Sequence, residues 1–251
     1  MLKVRIIPTL LFKDIGLVKG IGFDSWRRVG SAVQAVKVYN MRGVDELVFF
    51  DIAATPAQRR PDFQQIEDLA SECFMPMTVG GGVRTVDDIR DLLSVGADKV
   101  AINTAAIENP GLIRQGAESF GVQCMVIAID ARKTGNGWEV MTRCGRQATG
   151  LDPVEHARNV EALGAGEIIL TSIDRDGTMQ GYDIELTQRV SSAVGIPVIA
   201  SGGAGTYAHM ADVLRCGGAA AVAAASIFHF TEQTPREAKL FLREQGFNVR
   251  L

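Results

Sequence analysis

The chain has 251 residues, of which 47% are hydrophobic and 22% are charged, and its formal net charge is −3. This composition is typical of a well-packed globular protein, and the absence of a basic block argues against nucleic acid as the main partner. No apolar run approaches the roughly 18 residues of a membrane span, and the first apolar run, 1–8, is too short for a signal peptide. We therefore expect a cytoplasmic protein that does not bind membranes.

Eight short apolar segments alternate with eight helix-like segments along the chain, without a linker or a low-complexity break. Their content of Val, Ile, Leu and Ala predicts strands of a parallel sheet that is buried on both faces. The predicted strands are 4–10, 46–51, 76–80, 98–102, 124–129, 167–171, 197–200 and 219–223.

Several predicted helices begin with capping signals. The segments 152–155 and 234–237 each place a capping residue before a proline, with an acid at the third helical position. Weaker versions of this signal stand at Asn109-Pro110 and at Thr85 with Asp88. The alternation of strands and helices is therefore well marked.

Eight βα units in about 250 residues predict a single (β/α)8 TIM barrel over residues 1–251, with a doubly wound open sheet as the alternative. An internal duplication favours the barrel, built from two half-barrels of four units each. At an offset of 121 residues, 45–52 aligns with 166–173, and Asn103-Thr104 aligns with Ala224-Ala225.

Two glycine-rich turns stand at equivalent places in the two halves. Residues 76–83 and 197–205 each join a predicted strand to a predicted helix, and Gly81 and Gly202 are 121 positions apart. Such turns leave backbone N–H groups free at a helix N-terminus, which favours an anion. We predict that the two turns bind two phosphate groups.

In barrels of this type the active site is formed by the loops that follow the strands. The segment 13–30 after the first strand is long and glycine-rich, and we predict that it is a loop that closes as a lid, with Lys19 as a phosphate contact. An exposed lysine without such a role is the alternative. Other polar residues fall at the strand ends: Asp51, 80–82, Asn103, Thr104, Asp130, 174–177, 201–203 and Ser226. Of these, Asp51 and Asp174 are either active-site participants or caps of backbone groups.

The remaining reactive side chains show no metal or redox pattern. The four cysteines contain no C-x-x-C pair and are predicted to be free thiols, and the three histidines have no metal-like spacing. We expect neither a metal nor a cofactor. These residues are Cys73, Cys124, Cys144, Cys216, His156, His209 and His229.

Four charged residues stand at or near the starts of predicted strands one, two, four and six. They are Arg5, Glu46, Lys99 and Glu167. Inward-pointing charges at this end would form a closed ring of alternating sign at the floor of the barrel. The ring is either a salt-bridged plug, as buried charges are usually paired, or a gate.

Nine spaced blocks of the sequence together form a recognisable pattern. The blocks are Arg5-Ile-Ile-Pro8, Asp45-Glu-Leu-Val-Phe49, Thr78-Val-Gly-Gly-Gly82, Gly96-Ala-Asp-Lys-Val100, Ile102-Asn-Thr-Ala-Ala106, Ala128-Ile-Asp130, Thr171-Ser-Ile-Asp-Arg-Asp-Gly177, Ser201-Gly-Gly-Ala204 and Phe228-His229. They closely resemble the HisF family, the cyclase subunit of imidazole glycerol phosphate synthase, from Met1 to about Leu251. The resemblance implies a (β/α)8 barrel that forms a heterodimer with a HisH-like glutaminase at its N-terminal face and passes ammonia through the barrel.

The resemblance also implies roles for individual residues. The ring of Arg5, Glu46, Lys99 and Glu167 corresponds to the ammonia gate of the family, and Asp98 corresponds to a contact with the glutaminase. One phosphate of a two-phosphate ribonucleotide is expected near Gly82, Asn103 and Thr104. The other phosphate is expected near Asp176, Gly177, Gly203, Ala225 and Ser226.

The family uses two carboxylates, on strands one and five, because ring closure needs one group to accept a proton and another to donate it. The strand-five acid is present as Asp130, but Leu11 occupies the position of the strand-one acid. Asp14 lies three residues further on, belongs to the predicted lid and has a family counterpart of its own. We do not expect Asp14 to replace the lost acid.

The segments 10–14 and 70–76 look like a HisF-like subgroup found with genes for bacterial surface polysaccharides. The resemblance implies that the barrel passes glutamine-derived ammonia toward a sugar amidotransferase that converts an acetamido group to an acetamidino group. One alternative is the cyclase of histidine biosynthesis, a lyase, with Asp130 alone or a lid residue carrying the proton. Another is a non-catalytic scaffold that binds a phosphorylated ligand and activates the glutaminase.

Overall fold

The structure is a computed structural model that describes residues 3–14, 16–135 and 137–251. Met1, Leu2, Ile15 and Asn136 fall within the predicted domain, and Ile15 also falls within the predicted lid, but these four residues lie outside the described ranges. Within those ranges the strands are β1 (Arg5–Lys13), β2 (Gly16–Ile21), β3 (Asp24–Gly30), β4 (Leu47–Asp51), β5 (Met77–Gly80), β6 (Lys99–Ile102), β7 (Met125–Thr134), β8 (Gly137–Thr142), β9 (Gln147–Ala148), β10 (Glu167–Ser172), β11 (Val198–Ser201) and β12 (Ala221–Ala224).

Eight of these strands form a closed parallel barrel in the order β10-β11-β12-β1-β4-β5-β6-β7. The sheet closes because β10 also pairs with β7, with Glu167 opposite Val126 and Ser172 opposite Ala131. The prediction of a single (β/α)8 barrel is therefore confirmed, and each barrel strand coincides with one of the eight predicted apolar segments. The open-sheet alternative is wrong because an open sheet has two unpaired edges and this barrel has none.

Helices connect the barrel strands and cover their outer face. The described residues form ten α-helices, against eight predicted, because the units after β6 and β12 each carry a short additional helix. None of the helices in the described ranges is long and apolar enough to cross a membrane. The helices are α1 (Ala32–Met41), α2 (Phe63–Ala70), α3 (Val86–Ser94), α4 (Thr104–Glu108), α5 (Gly111–Phe120), α6 (Pro153–Ala162), α7 (Ile184–Ser191), α8 (Tyr207–Cys216), α9 (Ser226–Phe230) and α10 (Pro235–Glu244).

The predicted capping signals begin helices in the structure. Asp152 caps α6 through two backbone N–H groups, and Thr85 and Thr234 form complete capping boxes at α3 and α10. The signal at Asn109-Pro110 is displaced by one residue, since α5 begins at Gly111 and Asn109 is instead the C-cap of α4.

The predicted lid is not an irregular loop. Residues 16–21 and 24–30 form the antiparallel hairpin β2–β3, and β2 also pairs with the end of β1, where Leu11 lies opposite Val18. A similar extension occurs in the other half, where β7 continues into β8 and β9. Both β1 and β7 therefore run past the ends predicted for them, because their extra residues pair with these hairpins as well as with the neighbouring barrel strands β4 and β10.

The duplication holds for the strands but is shifted by one residue at its end. Glu46 and Glu167 occupy equivalent places before β4 and at the start of β10. Asn103, however, corresponds to Ala225 and not to Ala224, because both are N-caps of a five-residue helix and have similar backbone angles, with φ −115° and −129°. The second half contains one additional residue between the N-cap Thr206 and β12, which the fixed offset of 121 did not allow for.

Two separate apolar clusters lie on the two sides of the barrel wall. The larger one fills the space between strands and helices. The smaller one fills the inside of the barrel with five branched side chains and three alanines, and Phe50 packs against it. These interior residues are Ile7, Val48, Ala101, Val126, Ile169, Ile199, Ala221 and Ala223.

Candidate functional site

The ends of the barrel strands surround a large pocket at the mouth of the barrel. From the β2–β3 hairpin, Lys19, Phe23 and Trp26 also enter its lining. We call Gly82, Asn103 and Thr104 the first cradle, and Asp176, Gly177, Gly203, Ala225 and Ser226 the second cradle. All residues of both cradles line this pocket, as do Leu11 and Asp130. The structure therefore brings together the residues that were predicted for phosphate binding and catalysis.

Glycine is required at the equivalent positions Gly82 and Gly203. Both have left-handed backbone angles, with φ 76° and 106°. A Cβ atom would lie 2.6 Å from the carbonyl oxygen of Arg59 at the first position and 2.1 Å from that of Gly181 at the second. Any side chain would collide with backbone, so the turns after β5 and β11 need glycine to form.

In the first cradle the Gly82 N–H and the side chains of Asn103 and Thr104 have partners, whereas Nε of the adjoining Arg143 is buried without one in the described part of the chain. The Gly82 N–H donates to Oγ1 of Thr55 at 3.3 Å. The Thr104 hydroxyl accepts from the Arg143 N–H at 3.0 Å and donates to Oδ1 of Asn103 at 3.2 Å. Arg143 belongs to the turn between β8 and β9, so this turn closes against the first cradle.

In the second cradle the hydroxyl group and the glycine N–H groups have no partner among the described residues. Ser226 is 5% exposed, and its Oγ has no hydrogen-bond partner in the described ranges. The backbone N–H groups of Gly177 and Gly203 also lack an acceptor within the described part of the chain. A buried hydroxyl without a partner is unfavourable, and pockets that bind a ligand are a common reason for one.

Asp130 lies between the two cradles at the end of the barrel part of β7. Burial raises the pKa of its carboxyl group to about 7, and the negative charge of Asp176 adds to this shift, while a hydrogen bond with Thr171 opposes it. Nδ2 of Asn103 donates to the Asp130 carboxylate at 3.2 Å. A carboxyl group with this pKa can both donate and accept a proton near neutral pH.

The strand registers make Leu11 the counterpart of Asp130 in the other half-barrel. Leu11 pairs with Phe50 of β4, and Asp130 pairs with Thr171 of β10. Phe50 and Thr171 are equivalent because β4 and β10 align at the offset of 121 residues. Leu11 therefore lines the pocket at the place that corresponds to Asp130, and it carries no proton to exchange.

Lys19 is buried in an ion pair, so the alternative of an exposed lysine is wrong. It is 2% exposed, and its Nζ lies 2.8 and 2.7 Å from the two carboxylate oxygens of Asp176. The Gly22 N–H donates to the Asp176 carbonyl oxygen at 2.9 Å. The Arg27 guanidinium lies 4.7 Å from the centre of the Phe230 ring. These contacts fasten the hairpin over the second cradle, while the predicted contact of Lys19 with a phosphate stays a prediction.

Two other titratable side chains near the mouth are held in their uncharged forms. Burial raises the pKa of the Cys144 thiol to about 12, the charge of Asp130 adds to this, and Sγ donates to the Ile52 carbonyl oxygen at 3.3 Å. Burial lowers the pKa of His229 to about 4, and the charge of Lys19 lowers it further. Neither a thiolate nor an imidazolium is therefore present at neutral pH.

At the opposite end of the barrel the four predicted charges form a closed ring. Arg5 pairs with Glu46 at 2.6 Å and also with Glu167, and Nζ of Lys99 lies 2.9 Å from each of these two carboxylates. Burial alone would raise the pKa of Glu167, but the hydrogen bonds and charges of Arg5 and Lys99 hold it below its ordinary value. The arrangement is the expected ring of alternating sign, and the gate remains a prediction.

Acidic residues next to the ring connect neighbouring strands. Asp98 precedes Lys99, and its carboxylate accepts from the Met77 N–H at 2.8 Å. Asp45 precedes Glu46, accepts from the Ile6 N–H at 3.0 Å and pairs with the buried Lys239 of α10 at 2.6 Å. Asp98 is exposed on this face, so its position is compatible with the predicted contact to a partner.

Asp51 and Asp174, the two acids at the mouth with alternative predicted roles, both cap backbone groups. Asp51 accepts from two N–H groups of the following turn at 3.0 and 3.1 Å and pairs with Arg59 at 2.6 Å. Asp174 accepts from the Lys133 N–H at 2.7 Å. The capping alternative describes both residues, although Asp51 also lines the pocket.

The pocket also contains Thr55 and Cys144, whose positions were not predicted from the sequence. Thr55 stands 121 residues before Asp176, so the duplication carried a signal that could have found it. Cys144 lines the pocket and the adjoining Arg143 bonds to Thr104 from the β8–β9 turn, where they have left-handed angles, φ 58° and 52°. No local pattern predicts their position, because it depends on how this hairpin folds over the mouth.

The two half-barrels, their glycine turns and the pocket between them extend over nearly the whole chain. A family model matches over a similar length, from residue 5 to residue 234, and its family is described as "Histidine biosynthesis protein". This match covers far more than half of the chain. The protein therefore belongs to the histidine biosynthesis protein family.

Proposed function

We propose that this chain is the HisF-like barrel subunit of a glutamine amidotransferase complex. A HisH-like glutaminase releases ammonia at the floor, the barrel conducts it to the mouth, and a sugar amidotransferase uses it to form an acetamidino group on a surface-polysaccharide sugar. The observation that carries the proposal is a complete charged ring at the floor combined with Leu11 in place of an acid at the mouth.

The barrel interior supports the passage of neutral ammonia. Between the floor ring and the pocket, the inside of the barrel is filled by the apolar interior cluster, including Ile7, Val48 and Ile169. A charged ammonium ion would lose its hydration there without gaining a partner, which is strongly unfavourable, whereas neutral ammonia loses far less. The barrel interior therefore favours the passage of neutral ammonia, which is the form that can act as a nucleophile.

The floor face supports a protein partner. Met41 and Phe74 are 81% and 84% exposed, and both precede barrel strands at this face. Asn40 holds the two segments together, since its amide donates to the Glu72 carbonyl oxygen at 2.5 Å and its Oδ1 accepts from the Phe74 N–H at 3.1 Å. Exposed apolar side chains on a braced surface are common at protein interfaces, and here they share a face with the exposed Asp98.

The mouth supports a change of chemistry relative to the cyclases of the HisF family. Asp130 is retained with a pKa of about 7, but its counterpart is Leu11. Loss of one general acid or base typically lowers a rate by about 10²- to 10⁴-fold. The pocket is therefore expected to bind a phosphorylated small molecule without closing an imidazole ring.

The first test is the cyclase reaction itself. The purified complex with the glutaminase, supplied with glutamine and the bis-phosphate ribonucleotide of the HisF family, is expected to form no imidazole glycerol phosphate. Leu11→Asp is expected to raise product formation by about 10²-fold or more. Leu11→Asn is the matched control, because asparagine has nearly the same shape as aspartate but cannot exchange a proton. It should give no gain in product formation. Appreciable turnover by the unchanged complex would refute the proposal.

The second test is delivery of ammonia. Formation of the acetamidino sugar by the acceptor amidotransferase with glutamine as nitrogen source should require this chain. An excess of ammonium salt at alkaline pH should remove that requirement. If glutamine supports the reaction equally well with the glutaminase alone, the barrel does not conduct the ammonia.

A second candidate function is the histidine-pathway cyclase with Asp130 acting as both acid and base. The raised pKa of Asp130 favours it, because a group that is partly protonated at neutral pH can serve both steps in turn. This candidate predicts turnover by the unchanged protein and little change in Leu11→Asp, so the first test separates the two.

A further inference from the structure

We propose that the two hairpins at the mouth form a docking surface for an acidic face of the acceptor amidotransferase. We call residues 13–30 and 131–150 together the basic rim. The proposal rests on the proposed function, in which ammonia leaves the barrel at the mouth. It adds which surface of this chain the third protein covers and which charge that protein presents there.

The basic rim differs in charge from the rest of the protein. Its two segments contain eight Lys and Arg residues and three Asp and Glu residues, whereas the rest of the chain contains 18 and 26. A chain with a formal net charge of −3 therefore concentrates positive charge in its two hairpins. A local field of this kind attracts an acidic surface and speeds its association.

The two parts of the basic rim lie at the same end of the barrel and against each other. They follow β1 and β7, whose ends pair with β2 and β8. The β2–β3 turn meets the β8–β9 turn, because a Cβ atom on Gly145 would lie 3.0 Å from Cδ2 of Phe23. The rim is therefore one continuous surface beside the pocket.

The positive charge of the rim faces outward. Four of its basic side chains are exposed, namely Arg27, Arg28, Lys133 and Arg146. Within the described ranges the pocket is lined without these four. Lys19, a rim cation that does line the pocket, is paired with Asp176. The exposed charge is therefore available to a partner on the surface rather than to a small ligand inside the pocket.

The same four cations form no ion pair within the described part of the chain. Two of them lie over aromatic rings instead, with Arg27 4.7 Å from the centre of Phe230 and Lys133 5.7 Å from that of Trp138. A cation over a ring keeps its full charge and stays open to an anion on its other side. The rim can therefore form new ion pairs without breaking existing ones.

Other loops at the mouth carry acids, but these acids face positive groups of the chain itself. Asp62, Asp152 and Asp183 are the N-caps of α2, α6 and α7, where the helix dipole offsets part of the charge. Asp176 is paired with Lys19 at 2.7 Å. The acids of these loops therefore do not cancel the charge of the rim.

Exposed apolar side chains accompany the charge. Ile21 at the end of β2 is 54% exposed, and Phe230 at the end of α9 is 40% exposed. Ile21 lies beside the pocket, since a Cβ atom on Gly177 would be 2.9 Å from its Cα atom. Exposed apolar groups bordered by charge are typical of protein interfaces.

The chemistry at the outlet selects the occupant. Ammonia that escapes into water at neutral pH becomes protonated and is no longer a nucleophile, so the acceptor must cover the mouth. Nucleic acid or an anionic membrane would also be attracted to a basic surface, but the excess of acidic residues in the rest of the chain opposes both. A protein with a local acidic patch avoids this repulsion, because charges more than about 10 Å apart are largely screened.

The experiment measures binding of the purified acceptor amidotransferase to the complex of this chain with the glutaminase, by biolayer interferometry. Arg28→Glu combined with Arg146→Glu reverses one charge on each hairpin. We expect the Kd to rise by about tenfold or more, chiefly through slower association, and the effect to shrink at high salt.

Arg114→Glu combined with Arg158→Glu is the matched control. It changes the net charge equally, at exposed arginines of α5 and α6 that also lack an ion pair in the described ranges. This pair should leave the Kd within about twofold. Ile21→Ser tests the apolar part and should weaken binding through faster dissociation. Affinity for the glutaminase and the Tm should stay unchanged in all variants, because the substituted side chains are exposed and lie away from the floor.

Several outcomes would overturn the proposal. These are no binding of the acceptor, equal weakening by the rim pair and the control pair, or a dimer of this chain that only the rim pair dissociates. Binding of double-stranded DNA or of anionic vesicles as tight as that of the acceptor would also overturn it.

Failure of the proposed function is distinguishable, because delivery of ammonia is measured separately. If binding depends on the rim but glutamine supports the acceptor without this chain, only the proposed function fails. If delivery requires this chain but the rim pair binds as tightly as the unchanged protein, only the docking surface is wrong.

Discussion

The floor ring can be tested by Lys99→Met, which keeps most of the aliphatic side chain and removes the charge. Lys99 is the only described residue besides Arg5 that joins Glu46 to Glu167, and its side chain is 20% exposed. After the change, two carboxylates share the single cation Arg5, and Glu46 keeps its bond from the Thr78 hydroxyl at 2.9 Å. The ring is then open on one side and carries a net negative charge.

The magnitude follows from the two bonds that are lost. Hydrogen bonds to charged groups contribute roughly 1.5–3 kcal/mol each, and Arg5 and residual solvent compensate part of the loss, so we expect about 2–4 kcal/mol of destabilisation at pH 7. For a chain of this size that corresponds to a decrease in Tm of about 5–15 °C. Lys37→Met is the matched control, because it removes a pair with Glu72 whose side chains are 46% and 40% exposed, and such pairs contribute less than about 1 kcal/mol.

The effect has a defined pH dependence. Arg5 and Lys99 hold the pKa of Glu167 below its ordinary value, so the stabilisation is present above the unfolded pKa of about 4.3 and is lost as the pH falls through the folded pKa. The difference between Lys99→Met and the unchanged protein should therefore be largest at neutral pH. It should shrink below about pH 4 as the carboxylates become protonated.

Ammonia transfer gives the functional measurement. In the complex with the glutaminase, Lys99→Met should release ammonia into solvent, which is measured as the difference between glutamate formed and nitrogen delivered to the acceptor. An unchanged ratio in a folded variant, with glutaminase activity alone altered, would refute a gate and favour the scaffold. A change in Tm no larger than that of Lys37→Met would refute the stability estimate.

Two further predictions concern the mouth. Folding raises the pKa of Asp130 to about 7, so the folded state holds a proton that the unfolded state loses near pH 4, and stability falls as the pH rises through 7. Asp130→Asn should therefore stabilise the protein at pH 8 by at most about 4 kcal/mol and have little effect near pH 4, in denaturant titrations with exposed Asp174→Asn as control. Lys19→Met breaks the ion pair with Asp176 and should speed hydrogen exchange in β2 and β3 without a similar increase in β10. Equal exchange in the two proteins would mean that the pair does not hold the hairpin.

The eight barrel strands and the floor ring were predictable because their signals are local. A barrel strand that is buried on both faces must be apolar along most of its length, so the run 167–171 stands out without knowledge of its neighbours. A charge such as Glu46 or Lys99 at the start of such a strand must lie at the N-terminal end of the barrel, because the barrel strands are parallel. The capping boxes at Thr85 and Thr234 are also local, since they lie within four residues.

The hairpins and the partners of single side chains were not predictable in this way. The segment 13–30 is half exposed and rich in glycine, and whether it forms strands depends on its pairing with the end of β1. An exposed lysine was one of the two alternatives for Lys19. Its ion pair with Asp176, which is 157 residues away in sequence, forms only because the hairpin folds over the second cradle. The shift of one residue between Asn103 and Ala225 likewise appears only when the strand registers are known.

The sequence by itself determined the barrel, its duplication and the positions of both glycine turns. It also showed that leucine, and not an acid, stands at position 11. These follow from periodicity, from residue type and from resemblance, none of which requires long-range contacts. Only the tertiary structure decided which polar groups of the two cradles are bonded within the chain, because that depends on whether Thr55 and Arg143 reach Gly82 and Thr104. Hydrogen bonds of this kind join segments far apart in the chain, so Thr104 is bonded to Arg143 whereas the corresponding Ser226 has no side-chain partner among the described residues.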